Sequence, residues 1–214
     1  MEIMYAKRTS DYFKEGKIYG FYKDKIDLSF YLNDIYGLSY DDEWTVKKYL
    51  NSFKMKDNKR LLDIYDILSL DDEIFNKKIK ILSTNEFKFV LLASLLIQDP
   101  NVYIFDYFEV GLSYKNRKIF VNLLKKVRNE GKSVIVITNN LEFLYEVSDN
   151  IMMIENKKLI YNGPKNDFFN KSVNDEPLII TFIKKANKRG AKLLYTMDRK
   201  ELIKDIYRSL KWDT

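Results

Sequence analysis

Carboxylates, hydroxyls and amines are the only side chains available for chemistry, because the chain contains no Cys and no His. Thiolate nucleophiles, imidazole bases, disulfides and Cys/His zinc sites are all excluded at once. A hard cation held by carboxylates is the one metal chemistry left. Asp106 is best placed for it: it ends the apolar run Val102-Tyr-Ile-Phe-Asp106, a predicted buried strand, beside the crevice where open α/β sheets bind ligands. Two acidic triplets, Asp41-Asp42-Glu43 and Asp71-Asp72-Glu73, stand where helices should begin. Helix dipoles and unpaired amides favour acids there, and neither triplet has the Gly-containing, twelve-residue spacing of a calcium loop. Ser83-Thr-Asn-Glu86 spells a capping box, Asn139 with Glu142 repeats the pattern, and Ser113 is placed to cap a helix starting at Tyr114.

The elements that must hold these residues follow from the hydrophobic pattern. Lys17–Tyr22 reads as a short strand, and Asp24 to Leu38 is apolar without a clean period. An apolar helix runs from Ser83 to about Gln98 and is stopped by Asp99-Pro100-Asn101. After the Val102–Asp106 strand, Tyr114 to Glu130 is helical, with Ile119, Phe120, Leu123, Leu124 and Val127 on one side and Gly131 at its end. Strand Ser133–Thr138, helix Leu141–Val147, strand Ile151–Ile154 and segment Lys158–Tyr161 follow, the last after a turn through Asn156. Strand–helix–strand order of this kind predicts an α/β fold with a parallel, helix-covered sheet. Pro177 to Trp212 reads as two helices around Arg189-Gly190.

Composition sets the outer bounds. At 214 residues, 46 % hydrophobic, 32 % charged, with 7 Gly and 3 Pro, the chain is neither fibrous nor disordered and has room for one or two domains. Its longest uncharged apolar stretch, Phe89 to Ile97, is about half of the ~20 residues a membrane-spanning helix needs. The start, Met1 to Arg8, lacks the basic-then-apolar layout of a secretion signal. A cytoplasmic location is expected, because nothing argues for an oxidising compartment. The net charge of +6 comes from 37 Lys and Arg against 31 Asp and Glu, read as a solvated surface spread along the chain. Its densest patch, Lys184-Lys185-Ala-Asn-Lys188-Arg189, lies on a predicted helix, where lipid headgroups or RNA are the minority readings.

From Leu82 to Phe169 the chain resembles the second half of an ATP-binding-cassette (ABC) ATPase, most closely those of energy-coupling-factor and cobalt importers. Leu82-Ser-Thr-Asn-Glu86 stands at the signature motif, Val102–Asp106 at Walker B, Val110-Gly-Leu-Ser113 at the D-loop and Val134-Ile-Val-Ile-Thr138-Asn139 at the switch loop. Flanking segments agree, including Val147-Ser-Asp-Asn-Ile and Leu159-Ile-Tyr-Asn-Gly-Pro164. The tail, with Lys188-Arg-Gly-Ala-Lys and Asp198-Arg-Lys-Glu-Leu202, looks like the extra C-terminal segment of the energy-coupling-factor members. Upstream, Phe13 to Gly20 resembles the strand entering Walker A, and Thr45 to Leu70 the helical subdomain. The resemblance implies a P-loop-NTPase-like (RecA-like), mostly parallel sheet covered by helices. It divides the chain into a cassette-like domain at 1–175, with a helical subdomain inserted at about 41–98, and a helical extension at 176–214. It also marks Ser83, Asp106 and Asn139 as the family's nucleotide-binding positions, with Asp106 the position that holds Mg²⁺.

The departures from that pattern are as informative as the matches. Walker A uses Gly-rich backbone amides to wrap phosphates, a Lys to neutralise them and a Ser or Thr for Mg²⁺. Aligning on Gly20 puts Ile26 and Asp27 at the Lys and Ser/Thr positions; aligning on Gly16 puts Tyr22 and Lys23 there. Neither register has the Gly-Lys pair, and no counterpart of the family's Gln loop is found before Ser83. Tyr107 stands for the Glu that polarises water, and Asn139 for the switch His. At the signature, Thr84-Asn85-Glu86 replace Gly-Gly-Gln, placing a carboxylate at a helix N-terminus that would otherwise attract phosphate.

The leading expectation is therefore a non-catalytic cassette-like protein, a structural or regulatory subunit of a membrane transporter or a relic of one. It would bind no cofactor and would partner an intact cassette ATPase, a transmembrane component or a second copy of itself, peripheral to the inner face of the membrane. The alternative is a weak or unconventional ATPase holding Mg-ATP with Asp106 and Lys23 or Lys25. Nucleic-acid binding through Lys184–Lys192 is not expected, because the 32 aromatic residues sit mainly in apolar strand and helix patterns.

Overall fold

Two of the five strands among the described residues are apolar but for Gly20 and Ser133, and neither lies at an edge of the sheet. β1 (Ile18–Tyr22) and β3 (Ser133–Ile137) are buried at every residue, as expected of strands covered on both faces. The strand order is β2-β3-β1-β4-β5, with β2 (Val102–Asp106), β4 (Asn150–Glu155) and β5 (Lys158–Pro164) completing the sheet. β2 pairs with β3 and β1 with β4 in parallel, while β5 turns back antiparallel to β4. This computed structural model describes residues 14–22, 41–53, 58–156, 158–170, 177–196 and 199–210. The replaced Walker A loop, with Lys23, Lys25, Ile26, Asp27, Leu28 and Ser29, and the apolar stretch up to Leu38 lie outside the described residues.

The described residues divide into two compact units, one of 14–18 and 41–137, the other of 19–22 and 138–210. In the first, α1 (Val46–Asn51), α2 (Asn58–Leu68) and two 3-10 turns at Asp72–Asn76 and Ile79–Ile81 lead into α3 (Thr84–Gln98). α3 is buried almost continuously from Phe89 to Ile97, which is why its sequence is apolar all round rather than striped. Asp99 turns left-handed at φ 49° to end it, and β2 follows. α4 (Tyr114–Asn129) buries the stripe Phe120, Val121, Leu123, Leu124 and Val127, and Gly131, at φ +85°, supplies the left-handed exit that a helix end favours. Rings of Phe105, Phe108 and Phe120 meet at 4.7–5.5 Å, fastening the loop after β2 onto α4.

In the second unit, α5 (Leu141–Val147) packs by its Leu144 against β1. A Cβ on Gly20 would come within 2.4 Å of Ser148 Oγ and 2.7 Å of Leu144 Cδ2, so only glycine permits this approach. α6 (Lys165–Asn170) follows β5, and its Phe168 ring stacks edge-on with Tyr22 at 6.3 Å. α7 (Leu178–Lys188) and α8 (Arg199–Leu210) form the tail, sharing a small core of Ile183, Leu193 and Leu202.

Two expectations about helix starts need correction. Thr45, not the Asp41–Glu43 triplet, caps α1, its side chain accepting from Lys48 N; no acid lies in the first turn. The triplet forms a turn of its own, and Glu43 pairs with Lys78 and Lys80, which hold its carboxyl down to about 2, Lys80 foremost. Asn140, not Asn139, caps α5, accepting from Phe143 N at 3.0 Å. The Thr138 hydroxyl accepts from Asn140 N and selects that residue. The second triplet behaves as expected: Asp71 caps the turn at Asp72–Asn76.

Candidate functional site

α3 begins with a closed capping box. Ser83 Oγ accepts from Glu86 N at 3.3 Å, and Glu86 Oε2 accepts from Ser83 N at 2.8 Å. Lys77 Nζ then donates to Glu86 Oε1 at 2.6 Å. That ion pair comes first, and the Ser83 hydrogen bonds second, in lowering the Glu86 carboxyl to about 2. Glu86 is therefore ionised at neutral pH, folded back over the helix start and neutralised from the side. The position that a helix N-terminus offers to a phosphate is occupied by the chain's own carboxylate.

The loop after β2 is wired to the same helix. Lys88 Nζ donates to the carbonyls of Phe108 (2.8 Å) and Val110 (2.6 Å) and lies 5.2 Å from the centre of the Phe108 ring. Burial pulls the Lys88 ammonium down, and the nearby Glu109 charge opposes this. Asn85 Nδ2 donates to Gly111 O at 3.2 Å, while its Oδ1 accepts from Ser113 N and Asn116 Nδ2, each at 3.4 Å. Ser113 in turn caps α4 by accepting from Asn116 N. Signature-position and D-loop-position residues are thus one hydrogen-bonded body.

Asp106 ends β2 as an exposed side chain, and Tyr107 follows in the left-handed region at φ 47°, its N–H donating to Ile137 O. A bulky residue at positive φ is uncommon and marks a sharp, constrained turn at the strand end. Asp106 offers one carboxylate contact for a cation; among the described residues no group of three acidic side chains gathers around a metal position. Asn139 is exposed in the second unit, just beyond β3. Ser83 and Asp106 both belong to the first unit, in which the Lys88 and Asn85 bonds join α3 to the loop that follows β2. A cleft of about 120 Å³ beside α3 is lined by Asn85, Glu86, Asn116 and the Leu68–Asp71 turn, well below the roughly 300–1,000 Å³ of small-molecule sites. A larger cleft of about 420 Å³, lined by Leu96, Tyr103, Leu123 and Val127, contains none of the three predicted site residues.

Lys77 and Lys88 were not visible as site residues in the sequence. Lys77 acts across a 3-10 turn, and Lys88 reads as one more charge between Phe87 and Phe89. The only sequence signal for Lys88 is its place inside an otherwise apolar helix.

An ABC transporter ATP-binding protein of Pyrococcus furiosus is 32 % identical over 128 residues, covering 52 % of this chain and 47 % of that protein. Energy-coupling factor transporter ATP-binding proteins of Lactobacillus gasseri and Streptococcus pneumoniae are 26 % and 25 % identical, covering 67 % and 58 % of this chain and 52 % and 47 % of theirs. Its homologues are ATP-binding proteins of ABC transporters. Among solved structures, an ATP-binding subunit of an ABC transporter matches with a TM-score of 0.64 at 14 % identity, over 74 % of this chain and 83 % of that one. CbiO1 from Clostridium perfringens, part of the ABC transporter complex CbiONQ, matches at 0.60 and 17 % identity, over 83 % and 86 %. The fold is that of ABC ATPase domains, as the motif order implied. No family model matches the chain. The chain spans about half the length of the curated relatives it matches.

Proposed function

We propose that this chain is a non-catalytic ABC-ATPase-like subunit that serves a membrane transporter structurally or by regulation. One observation carries the reading: Glu86, fixed by Ser83 and neutralised by Lys77, fills the α3 N-terminus at the signature position. A phosphate arriving there would meet a bound carboxylate and the Asn85 side chain where bare glycine amides are needed. Tyr107 at the water-polarising position and the missing Gly-Lys pair support the same conclusion from the other parts of the site. No cofactor is needed in this role. The partner is an intact cassette ATPase, a transmembrane component or a second copy; relatives named as transporter subunits support this choice. On this reading 1–175 is the cassette-like domain, with 41–98 its helical subdomain, and 176–214 is the extension.

A second reading, a conventional or weak Mg-ATP-binding subunit, is favoured by exposed Asp106 at the C-terminal end of β2 and by relatives named as ATP-binding proteins. Phosphate release from Mg-ATP separates the two. The non-catalytic reading expects none that depends on Asp106; release abolished in Asp106→Ala establishes the second. Co-expression with an intact cassette ATPase and a transmembrane component, followed by co-purification, tests the partner, and recovery of the chain alone counts against a subunit role.

A further inference from the structure

The charge of this chain is not spread as its composition implies. Between residues 178 and 210 there are nine Lys and Arg against three Asp and Glu, which leaves 28 of each in the rest of the sequence. The whole net charge of +6 therefore resides in the segment that folds into α7, α8 and their connection. Half of the large apolar side chains exposed among the described residues lie in the same place: Leu178, Phe182, Leu194, Tyr195, Ile203 and Tyr207.

Helical spacing orders these groups. Leu178, Phe182, Lys185 and Arg189 follow one stripe of α7, opposite buried Ile180 and Ile183. On α8, Ile203 and Tyr207 share the outward side with Lys204, opposite buried Leu202. The connection turns Leu193 into the small core and leaves Leu194 and Tyr195 exposed, and it is pinned that way. Asn187 exchanges two hydrogen bonds with Leu193, at 2.8 and 2.9 Å, and Leu194 N donates to Asp205 Oδ2 at 2.6 Å.

We propose that the outward faces of α7 and α8 dock this chain directly on an anionic lipid bilayer. Aliphatic and aromatic side chains with interleaved cations suit the headgroup boundary, where the apolar groups enter and the cations meet lipid phosphates. Leu178, Leu194 and Ile203 have no stacking value for bases, which disfavours RNA. An isologous contact with a second copy would set one positive patch against another. Because no helix among the described residues is long and apolar enough to cross a membrane, the contact is one of lying on the surface. This inference is independent of whether the chain binds nucleotide.

Flotation of the full chain with vesicles tests it. Phosphatidylcholine vesicles containing about 30 mol % phosphatidylglycerol are compared with pure phosphatidylcholine, since cytoplasmic leaflets draw basic segments by their anionic lipids. Flotation is expected only with the anionic lipid and weakens as salt shortens the Debye length. Lys185→Gln with Arg189→Gln lowers the partition coefficient by about 25-fold, about fivefold per cation. Phe182→Ser, at an exposed position, weakens it without disturbing the fold. Lys47→Gln with Lys125→Gln, which removes the same charge from exposed positions in the first unit, leaves it unchanged. Equal flotation on both lipids, no flotation, equal loss in the two double variants, or tighter binding to RNA at the same salt would each overturn the proposal. So would a concentration-dependent dimer that forms through these residues and excludes vesicles.

Discussion

Replacing Glu86 by Gln removes a charge while keeping the shape of the α3 N-terminus. A capping box accepts either residue, so the Ser83 N–H keeps its acceptor while Lys77 loses an anion. In the folded chain the Glu86 carboxyl lies at about 2 against an ordinary 4.5. For a fully buried group such a difference would be worth about 3 kcal/mol. The two side chains retain 32 % and 38 % of their exposure, however, and solvent screening reduces the pair to about 1 kcal/mol. Thermal unfolding at pH 7 should therefore place the Gln variant about 2–4 °C below the wild type. Glu86→Ala, which also opens the capping box, falls about twice as far. Folding depresses this carboxyl, so its contribution is complete above pH 4.5 and disappears as the pH falls through about 2. Glu43 titrates in the same range but is present in both proteins and cancels. The wild-type and Gln melting temperatures must converge as the pH approaches 2. A Gln variant with an unchanged melting temperature at pH 7, or a gap that persists at pH 2, refutes the assignment of the Lys77–Glu86 pair.

Other consequences are equally direct. Gly20→Ala forces a methyl group into Ser148 Oγ and Leu144 Cδ2 and should cost about 1–3 kcal/mol in urea unfolding. Ser148→Ala, which removes a buried hydroxyl with no hydrogen-bond partner among the described residues, should be neutral or stabilising and should recover part of the Gly20→Ala loss. Asn85→Ala removes the bonds to Gly111, Ser113 and Asn116 and costs about 1 kcal/mol. Its distinctive sign is faster amide hydrogen exchange in the 107–113 loop, which the change in helix propensity alone would not produce.

What the sequence conveyed and what it withheld divide along a physical line. The course of β1, α3, β2, α4 and β3 was legible because buried elements declare themselves by apolar runs, or in α4 by an apolar stripe, and by punctuation at Ser83, Asp99-Pro100 and Gly131. The Ser83–Glu86 box and the Ser113 cap were legible because both are local. Thr45 and Asn140 were missed as caps because the deciding contacts compete with louder local signals. Glu43 is drawn to Lys78 and Lys80, more than thirty residues away, and Thr138 chooses between adjacent asparagines. The sequence also placed Glu86 as a bare repulsive charge at the signature position. Lys77, brought alongside by a 3-10 turn, makes it a neutralised plug instead. Asn85 reads as an intrusion on a phosphate site, whereas its bonds, with those of Lys88, hold the loop after β2 to α3. The concentration of charge in the tail was in the sequence all along, but only the exposed stripes of α7 and α8 give it a surface.

Calorimetric titration of the full chain with Mg-ATP tests the central claim most directly, because it interrogates every part of the altered site together. The account predicts no saturable heat up to millimolar nucleotide, a binding free energy weaker than about −4 kcal/mol. Micromolar, saturable binding of Mg-ATP that is lost in Asp106→Ala would contradict it and identify a working nucleotide site at the end of β2.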